Sequence, residues 1–164
     1  MGQSLIRIAR APAYAAFDGE RMHKSRPKIV VYIVDDDDGV REGFARLLRA
    51  ARVESRPFSS AGAFLAEVVN MPGACILLDI TMPLLSGPQV QEGLRSRGIV
   101  LPVITISARD DADTRALARS LGARMFLSKP VDGQALLDAI DWVIDDAANS
   151  GGPRHGKPPP AAVS

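Results

Sequence analysis

Short β-branched apolar runs alternate with helical patterns between residues 28 and 147. Residues 28–34 form the first run, whose composition is typical of a strand buried on both faces, and further strands are predicted at 53–58, 74–78, 101–106 and 124–128. The intervening segments carry apolar residues at helical spacing. They predict helices over 39–51, 111–121 and 132–147, and another helix after Pro88. A further helix is predicted after a cap at Ser59 or Ser60, with Phe64, Val68 and Val69 facing inward.

Five strand–helix units in this length predict an α/β fold. Alternation of this kind indicates a doubly wound, five-stranded parallel sheet of (βα)5, flavodoxin-like type, with helices on both faces. In such a sheet, ligands bind beyond the carboxyl ends of the strands. The residues at which strands end are therefore the most informative about function.

The segments outside this alternation predict extensions and not further domains. Residues 1–27 contain scattered apolar residues without a sustained period, which favours a flexible extension over a short docked helix. Residues 148–164 are rich in glycine, proline and small residues, which bury too little surface to offset the entropy of ordering. We therefore expect one domain over 28–147, followed by a disordered tail.

Charge and composition argue against several classes of function. The net charge of +1 combines an acidic stretch over 28–146 with basic ends, so the domain is a poor candidate for nucleic-acid binding. No apolar stretch approaches the roughly 18 residues that span a bilayer, and charged residues interrupt the first thirty positions. These features predict a cytoplasmic protein without membrane association. The single cysteine, Cys75, excludes an internal disulfide.

Polar residues stand at the ends of four predicted strands. Asp35 to Asp38 follow the first strand, Asp79 ends the third, Ser107 ends the fourth, and Lys129 and Pro130 follow the fifth. Clustered carboxylates repel one another unless a cation lies among them, and oxygen ligands suit Mg²⁺. A lysine and a hydroxyl can hold phosphoryl oxygens, while a carboxylate can accept the group as an acyl phosphate.

Each of these residues also has an ordinary structural interpretation. Asp79 could close a loop, Ser107 could cap a helix, and Phe126 could belong to the core. Asp37 and Asp38 are expected to begin the first helix, where negative charge is favourable, and not to bind metal. The combination of polar residues at four strand ends is what favours a phosphoryl-transfer site.

Four segments resemble the receiver domains of two-component response regulators: IVVYIVDDDDGVREGFARLL, LLDITMPLLSG, PVITIS and FLSKP. Their order and spacing both fit, and the resemblance covers about 28–147. It is nearest to the subfamily whose receivers usually precede a helix-turn-helix output domain. The residues after 147 are too few to form such a domain, so a stand-alone receiver is expected.

The resemblance implies a phosphoacceptor and a metal site. Asp79 would accept the phosphoryl group from a sensor histidine kinase or a phosphotransfer protein. The implied cofactor is Mg²⁺, bound by Asp79, by Asp36 directly, by Asp35 mainly through metal-bound water, and by the backbone carbonyl of Thr81. The domain would be a signalling module, not an enzyme, although it would assist its own phosphorylation and dephosphorylation.

The resemblance also implies a switch. Lys129 would contact the phosphoryl oxygens and Pro130 would follow a cis peptide. Ser107 would move toward the phosphoryl group, with Phe126 turning inward behind it. The expected output is contact with a downstream protein or a second copy through the fourth helix, fifth strand and fifth helix, without direct DNA binding. Leu84 departs from the pattern, because small or polar residues are common at its position.

Two alternatives stay open at this stage. Asp36-Asp37-Asp38-Gly39-Val40 also fits the D-x-D-G-[TV] pattern of haloacid-dehalogenase-like phosphatases, with Asp36 as nucleophile. That reading leaves Asp79 without a role and lacks a later acidic pair at a strand end. The other alternative is a phosphorylation-independent binding module, which the destabilising cluster of carboxylates disfavours. Histidine phosphotransfer is excluded, since His23 and His155 lie in the terminal segments.

Overall fold

The computed structural model describes residues 27–83 and 87–150, in which five strands alternate with five helices. The strands are β1 (Val30–Val34), β2 (Glu54–Phe58), β3 (Ala74–Asp79), β4 (Val103–Ser107) and β5 (Met125–Ser128). The helices are α1 (Asp38–Ala50), α2 (Ala61–Glu67), α3 (Gly87–Ser96), α4 (Ala112–Ser120) and α5 (Gly133–Asn149). The predicted (βα)5 order is confirmed. The predictions for residues 1–26, for most of the tail and for Leu84 lie outside the described residues.

All strand pairs are parallel, in the order β2-β1-β3-β4-β5. Val34 pairs with Phe58 on one side and Leu78 on the other, so β1 and β3 end side by side. The chain runs outward in opposite directions from this point, to β2 and to β4. A crevice at such a reversal is the ordinary ligand site of a doubly wound sheet.

Side-chain caps fix where the helices begin. Asp37 is the N-cap of α1 and accepts a hydrogen bond from the amide of Val40 at 3.0 Å, which confirms that this carboxylate begins the helix. Ser60, and not Ser59, caps α2, while Asp111 caps α4. The inward placement of Val69 was wrong: the chain turns extended at Val68, so helical spacing no longer applies, and Val69 is 46% exposed.

Two apolar layers hold the sheet between the helices. Alternate residues of β1 point to opposite faces, so Tyr32 enters the layer under α2, α3 and α4 while Ile33 enters the layer under α1 and α5. Every residue of β1, β3 and β4 is buried. Burial of both faces fixes the strand ends firmly. No helix in the described ranges has the length and apolar character needed to cross a membrane.

We expect Val31→Ala in β1 to destabilise the protein by about 2–3 kcal/mol, because it deletes two methyl groups from a side chain with 0% exposure. Val100→Ala is the matched control, since this valine is 83% exposed; its effect should stay within about 0.5 kcal/mol. Urea unfolding followed by circular dichroism measures both. Equal effects of the two substitutions would contradict the described packing.

Candidate functional site

Three carboxylates meet where β1 and β3 end. Asp35 directly follows β1, Asp36 is the next residue, and Asp79 is the last residue of β3. One oxygen from each lies within 4.8 Å of the others. Asp35 and Asp79 are buried, with 0% and 3% exposure, whereas Asp36 faces solvent. The cluster therefore has two enclosed carboxylates and one at its mouth.

Lys129 bridges the two buried carboxylates. Its Nζ donates a hydrogen bond to Oδ2 of Asp35 and another to Oδ2 of Asp79, each at 3.0 Å. Burial works against the charged ammonium, but the bonds to Asp35 and Asp79 outweigh it and raise the pKa of Lys129. Lysine is thus held in its charged form, the form that can contact a phosphoryl group.

The charges of this cluster do not balance when all three carboxylates are ionised. One ammonium against three carboxylates leaves a surplus of two negative charges. A divalent cation with oxygen ligands would neutralise the surplus, and Asp35, Asp36 and Asp79 are a donor set that suits Mg²⁺. The residues present therefore fit the cofactor implied by the sequence resemblance.

The carboxyl of Asp35 is harder to ionise in this arrangement than it would be in water. Burial raises the pKa of its carboxyl, while the amide of Asp37, which donates to Oδ1 at 2.9 Å, and the ammonium of Lys129 work in the opposite direction. The net pKa is raised because burial is the largest of these effects. In the folded chain the ionised carboxylate is thus less favourable than in water.

Asp79 is held by both of its oxygens. Oδ1 accepts from the amide of Thr81 at 2.8 Å and from its hydroxyl at 2.6 Å, while Oδ2 accepts from Lys129. The sequence had suggested only the carbonyl of Thr81. The side-chain contact was missed, although a hydroxyl two residues after an aspartate is a known signal for a local turn of this kind.

Ser107 ends β4 one strand away from Asp79 and is fully buried. Its Oγ accepts from the amide of Arg109 at 2.9 Å, which ties the hydroxyl to the start of the loop before α4. In that loop the guanidinium of Arg109 pairs with Asp111, the N-cap of α4. Ser107 is therefore connected through two contacts to the first turn of α4.

Phe126 lies on β5, half-buried against the α2–α4 side of the core. The Arg115 guanidinium stands 4.9 Å from its ring centroid. Arg115 also pairs with Asp110, whose Oδ2 accepts from the hydroxyl of Ser128 at 3.4 Å. These contacts join α4, the loop before it and β5, and the sequence analysis did not identify Arg115 as part of them.

The Lys129–Pro130 peptide is cis. Beside it lies an apolar groove of about 540 Å³ between α1 and the segment that follows β5. Its lining consists of Val40, Gly43, Phe44, Leu47, Lys129, Pro130 and Val131. Lys129 therefore borders both the acidic cluster and the groove.

Comparison with known sequences points to one family. A family model described as the response regulator receiver domain matches residues 31–141. The transcriptional regulatory protein TdiR of Thauera aromatica is 40% identical, over 70% of this chain and 50% of that protein. The transcriptional regulatory protein FixJ of Azorhizobium caulinodans is 36% identical, over 74% and 57%. The chain spans about half the length of the curated relatives it matches.

Solved structures give the same answer. The response regulator StyR is similar with a TM-score of 0.64 and 39% identity, covering 76% of this chain and 63% of that one. FixJ-N has a TM-score of 0.64 and 29% identity, covering 71% and 94%. These similarities, with the strand order, confirm the predicted flavodoxin-like fold.

In the metal-free protein at pH 7, Asp35→Asn should raise the unfolding midpoint by about 2–5 °C, an effect on the order of 1 kcal/mol. A raised carboxyl pKa means that the folded chain binds this proton more tightly than the unfolded chain, so the ionised group lowers stability above that pKa. The gain should shrink as the pH falls through the folded pKa, where the native carboxyl is neutral too.

Thermal unfolding in chelator between pH 7 and pH 4 measures this difference. Asp141→Asn, at an exposed position of α5, is the control and should shift neither the midpoint nor its pH dependence. A lower midpoint for Asp35→Asn at pH 7 would show that Lys129 stabilises the carboxylate more than burial opposes it.

Proposed function

The chain belongs to the response regulator receiver family, and from this premise we propose that Asp79 accepts a phosphoryl group in a Mg²⁺-dependent reaction. The observation that carries the proposal is the bridge from Lys129 to the buried Asp35 and Asp79, beside the exposed Asp36. The domain acts in signalling and is not a classical enzyme. Asp36, the nucleophile of the phosphatase alternative, does not share the contact with Lys129.

The reaction forms one bond and breaks one. A carboxylate oxygen of Asp79 attacks phosphorus, and the bond from phosphorus to the donor, a phosphohistidine nitrogen, breaks. The nitrogen leaves with the electron pair, and the product is an acyl phosphate on Asp79. Thr81 holds Oδ1 through two hydrogen bonds, which fixes the direction of the carboxylate during attack.

The negative charge that the phosphoryl group brings must be neutralised by groups already at the site. Lys129 can turn from the carboxylates to the phosphoryl oxygens without leaving the cluster, because it already touches Asp79. Mg²⁺, held by Asp35, Asp36, Asp79 and the carbonyl of Thr81, would neutralise charge on the transferring group. The hydroxyl of Ser107 would donate to a phosphoryl oxygen and give up the hydrogen bond from the Arg109 amide.

The phosphodonor is a sensor histidine kinase or a phosphotransfer protein, as in the family. The apolar groove beside Lys129 suits such a donor, because an amphipathic helix can lay its apolar face between Phe44 and Val131. The groove borders the site, so a helix seated there would bring its phosphohistidine close to Asp79. Cytoplasmic location is part of this proposal, since the donors' phosphotransfer takes place there.

The output is contact with a downstream protein or a second copy through α4, β5 and α5. The loop that starts at Ser107 leads to the cap of α4 through Arg109 and Asp111, so movement of the Ser107 hydroxyl reaches this face. Phe126 turns inward in the same switch and leaves Arg115. The described domain is acidic overall, which disfavours direct contact with DNA.

Incubation with acetyl phosphate or a phosphorylated kinase should add about 80 daltons, the mass of one PO₃H group, in Mg²⁺ and not in EDTA. Asp79→Asn should abolish the adduct, because it removes the nucleophile. Asp141→Asn, which makes the same chemical change at an exposed position, is the control and should leave the adduct unchanged. Intact mass spectrometry measures the adduct, and borohydride trapping with peptide mapping locates it.

An adduct that persists in Asp79→Asn would rule out this phosphoacceptor. Label recovered on the peptide that contains Asp36, with rapid turnover of small phosphomonoesters, would favour the phosphatase alternative. An adduct formed equally well in EDTA would contradict the metal requirement.

Arg115→Met should raise the apparent affinity for beryllofluoride, a phosphoryl mimic, by about two- to fivefold in the presence of Mg²⁺. The guanidinium stabilises the present position of the Phe126 ring, and a cation over an aromatic face at an exposed site contributes modestly. Arg119→Met, in the same helix and also exposed, is the control. Amide exchange across 107–128 and size-exclusion chromatography follow the transition.

Equal beryllofluoride affinities for the two variants would show that Phe126 takes no part in the switch. Exchange and oligomeric state that do not respond to beryllofluoride would remove α4, β5 and α5 as the output face. Tight, sequence-selective binding of a DNA duplex at physiological salt would overturn the claim about DNA.

A further inference from the structure

Arg41 is a charged residue in an enclosed position next to the acidic cluster. It lies in the first turns of α1, and its side chain is only 17% exposed. Nη1 donates to the backbone carbonyl of Asp35 at 2.7 Å, and Nη2 pairs with the carboxylate of Asp38. Long charged side chains are seldom enclosed without a partner that holds them.

The two partners of Arg41 stand on either side of the exposed carboxylate of the cluster. Asp35 precedes Asp36, and Asp38 follows it by two residues. Between them the amide of Asp37 donates to Oδ1 of Asp35 at 2.9 Å, and the amide of Arg41 donates to the carbonyl of Asp37 at 2.9 Å. The loop from β1 to α1 is thus fastened at both ends by one guanidinium.

Asp36 depends on this loop for its position. Its side chain faces solvent, so the core does not orient it as it orients Asp35 and Asp79. The backbone on each side must then place the carboxylate within reach of the other two. Groups that orient metal ligands commonly change metal affinity when they are removed, although they never touch the ion.

We propose that Arg41 is a positioning residue that holds the β1–α1 loop so that Asp36 joins Asp35 and Asp79 around one cation. The inference deepens the proposed function and rests on its Mg²⁺ site. Arg41 carries no ligand atom for the cation. Its effect passes through the Asp35 carbonyl and the Asp38 carboxylate, which the planar guanidinium can hold at the same time.

Charge and positioning predict opposite signs for the loss of this side chain. Arg41 is a positive charge near a cation site, so its removal alone would strengthen Mg²⁺ binding by relieving repulsion. If Arg41 positions Asp36, its removal weakens Mg²⁺ binding because the loop is released. The sign of the change in affinity therefore separates the two roles.

The test compares Mg²⁺ affinity in the full chain for Arg41→Met, Arg41→Lys and Arg46→Met, using MgCl₂ titration followed by amide NMR shifts. Arg46 is an exposed arginine of the same helix and serves as the matched control. Arg41→Met should bind Mg²⁺ about three- to tenfold more weakly than the control. Arg41→Lys, which keeps the charge and can reach only one partner, should fall between them.

Amide exchange in metal-free buffer gives a readout independent of the ion. In Arg41→Met the amide of Asp37 should exchange faster, while amides of β1 and β3 keep the protection of the parent protein. This comparison also establishes that the variant is folded. Arg41→Lys supplies the same readout with a smaller perturbation if the methionine variant unfolds.

Affinity in Arg41→Met equal to or tighter than in Arg46→Met would overturn the proposal. Full recovery by Arg41→Lys would overturn it too, because it would show that Asp36 does not depend on one side chain holding both the Asp35 carbonyl and the Asp38 carboxylate. These outcomes are distinct from failure of the proposed function. If the parent protein itself does not bind Mg²⁺, the proposed metal site fails; if the parent binds and only the comparison fails, the role of Arg41 alone is wrong.

Discussion

The compensation of two buried carboxylates by one ammonium is the interaction on which the rest of this site depends. Asp35 and Asp79 are almost without solvent, and each would be costly to ionise alone. Lys129 reaches both because β5 delivers it to the same edge of the sheet at which β1 and β3 end. The parallel topology is thus the condition for charge compensation.

This compensation is incomplete, because one ammonium does not neutralise three ionised carboxylates. The surplus negative charge is what would attract a cation. A fully neutral cluster would be more stable, but it would have little attraction for a divalent cation. The two apolar layers supply the stability that the cluster gives up, since every residue of β1, β3 and β4 is buried. The stable core therefore offsets the destabilising concentration of negative charge at the strand ends.

The sequence predicted the fold and the strand-end residues well because both follow from short-range patterns. The β-branched runs locate buried strands, and polar residues directly after them meet at one edge whatever the details of packing. It could not predict which loops are braced, because the partners of Arg41 and Arg115 depend on side-chain geometry. Val69 was misplaced for a similar reason: helical spacing does not reveal where α2 ends.

The two loops beside the site are held by contacts of different strength. The β1–α1 loop is fastened by Arg41, which is enclosed and bonds to a backbone carbonyl. The loop before α4 is fastened by the pairs Arg109–Asp111 and Arg115–Asp110, which are largely exposed. Exposed pairs contribute about 0–1 kcal/mol each, so this loop can rearrange at little cost. The β1–α1 loop is therefore the more firmly held of the two. If Asp79 accepts a phosphoryl group as proposed, the loop that begins at Ser107 is the one that can rearrange at lower cost.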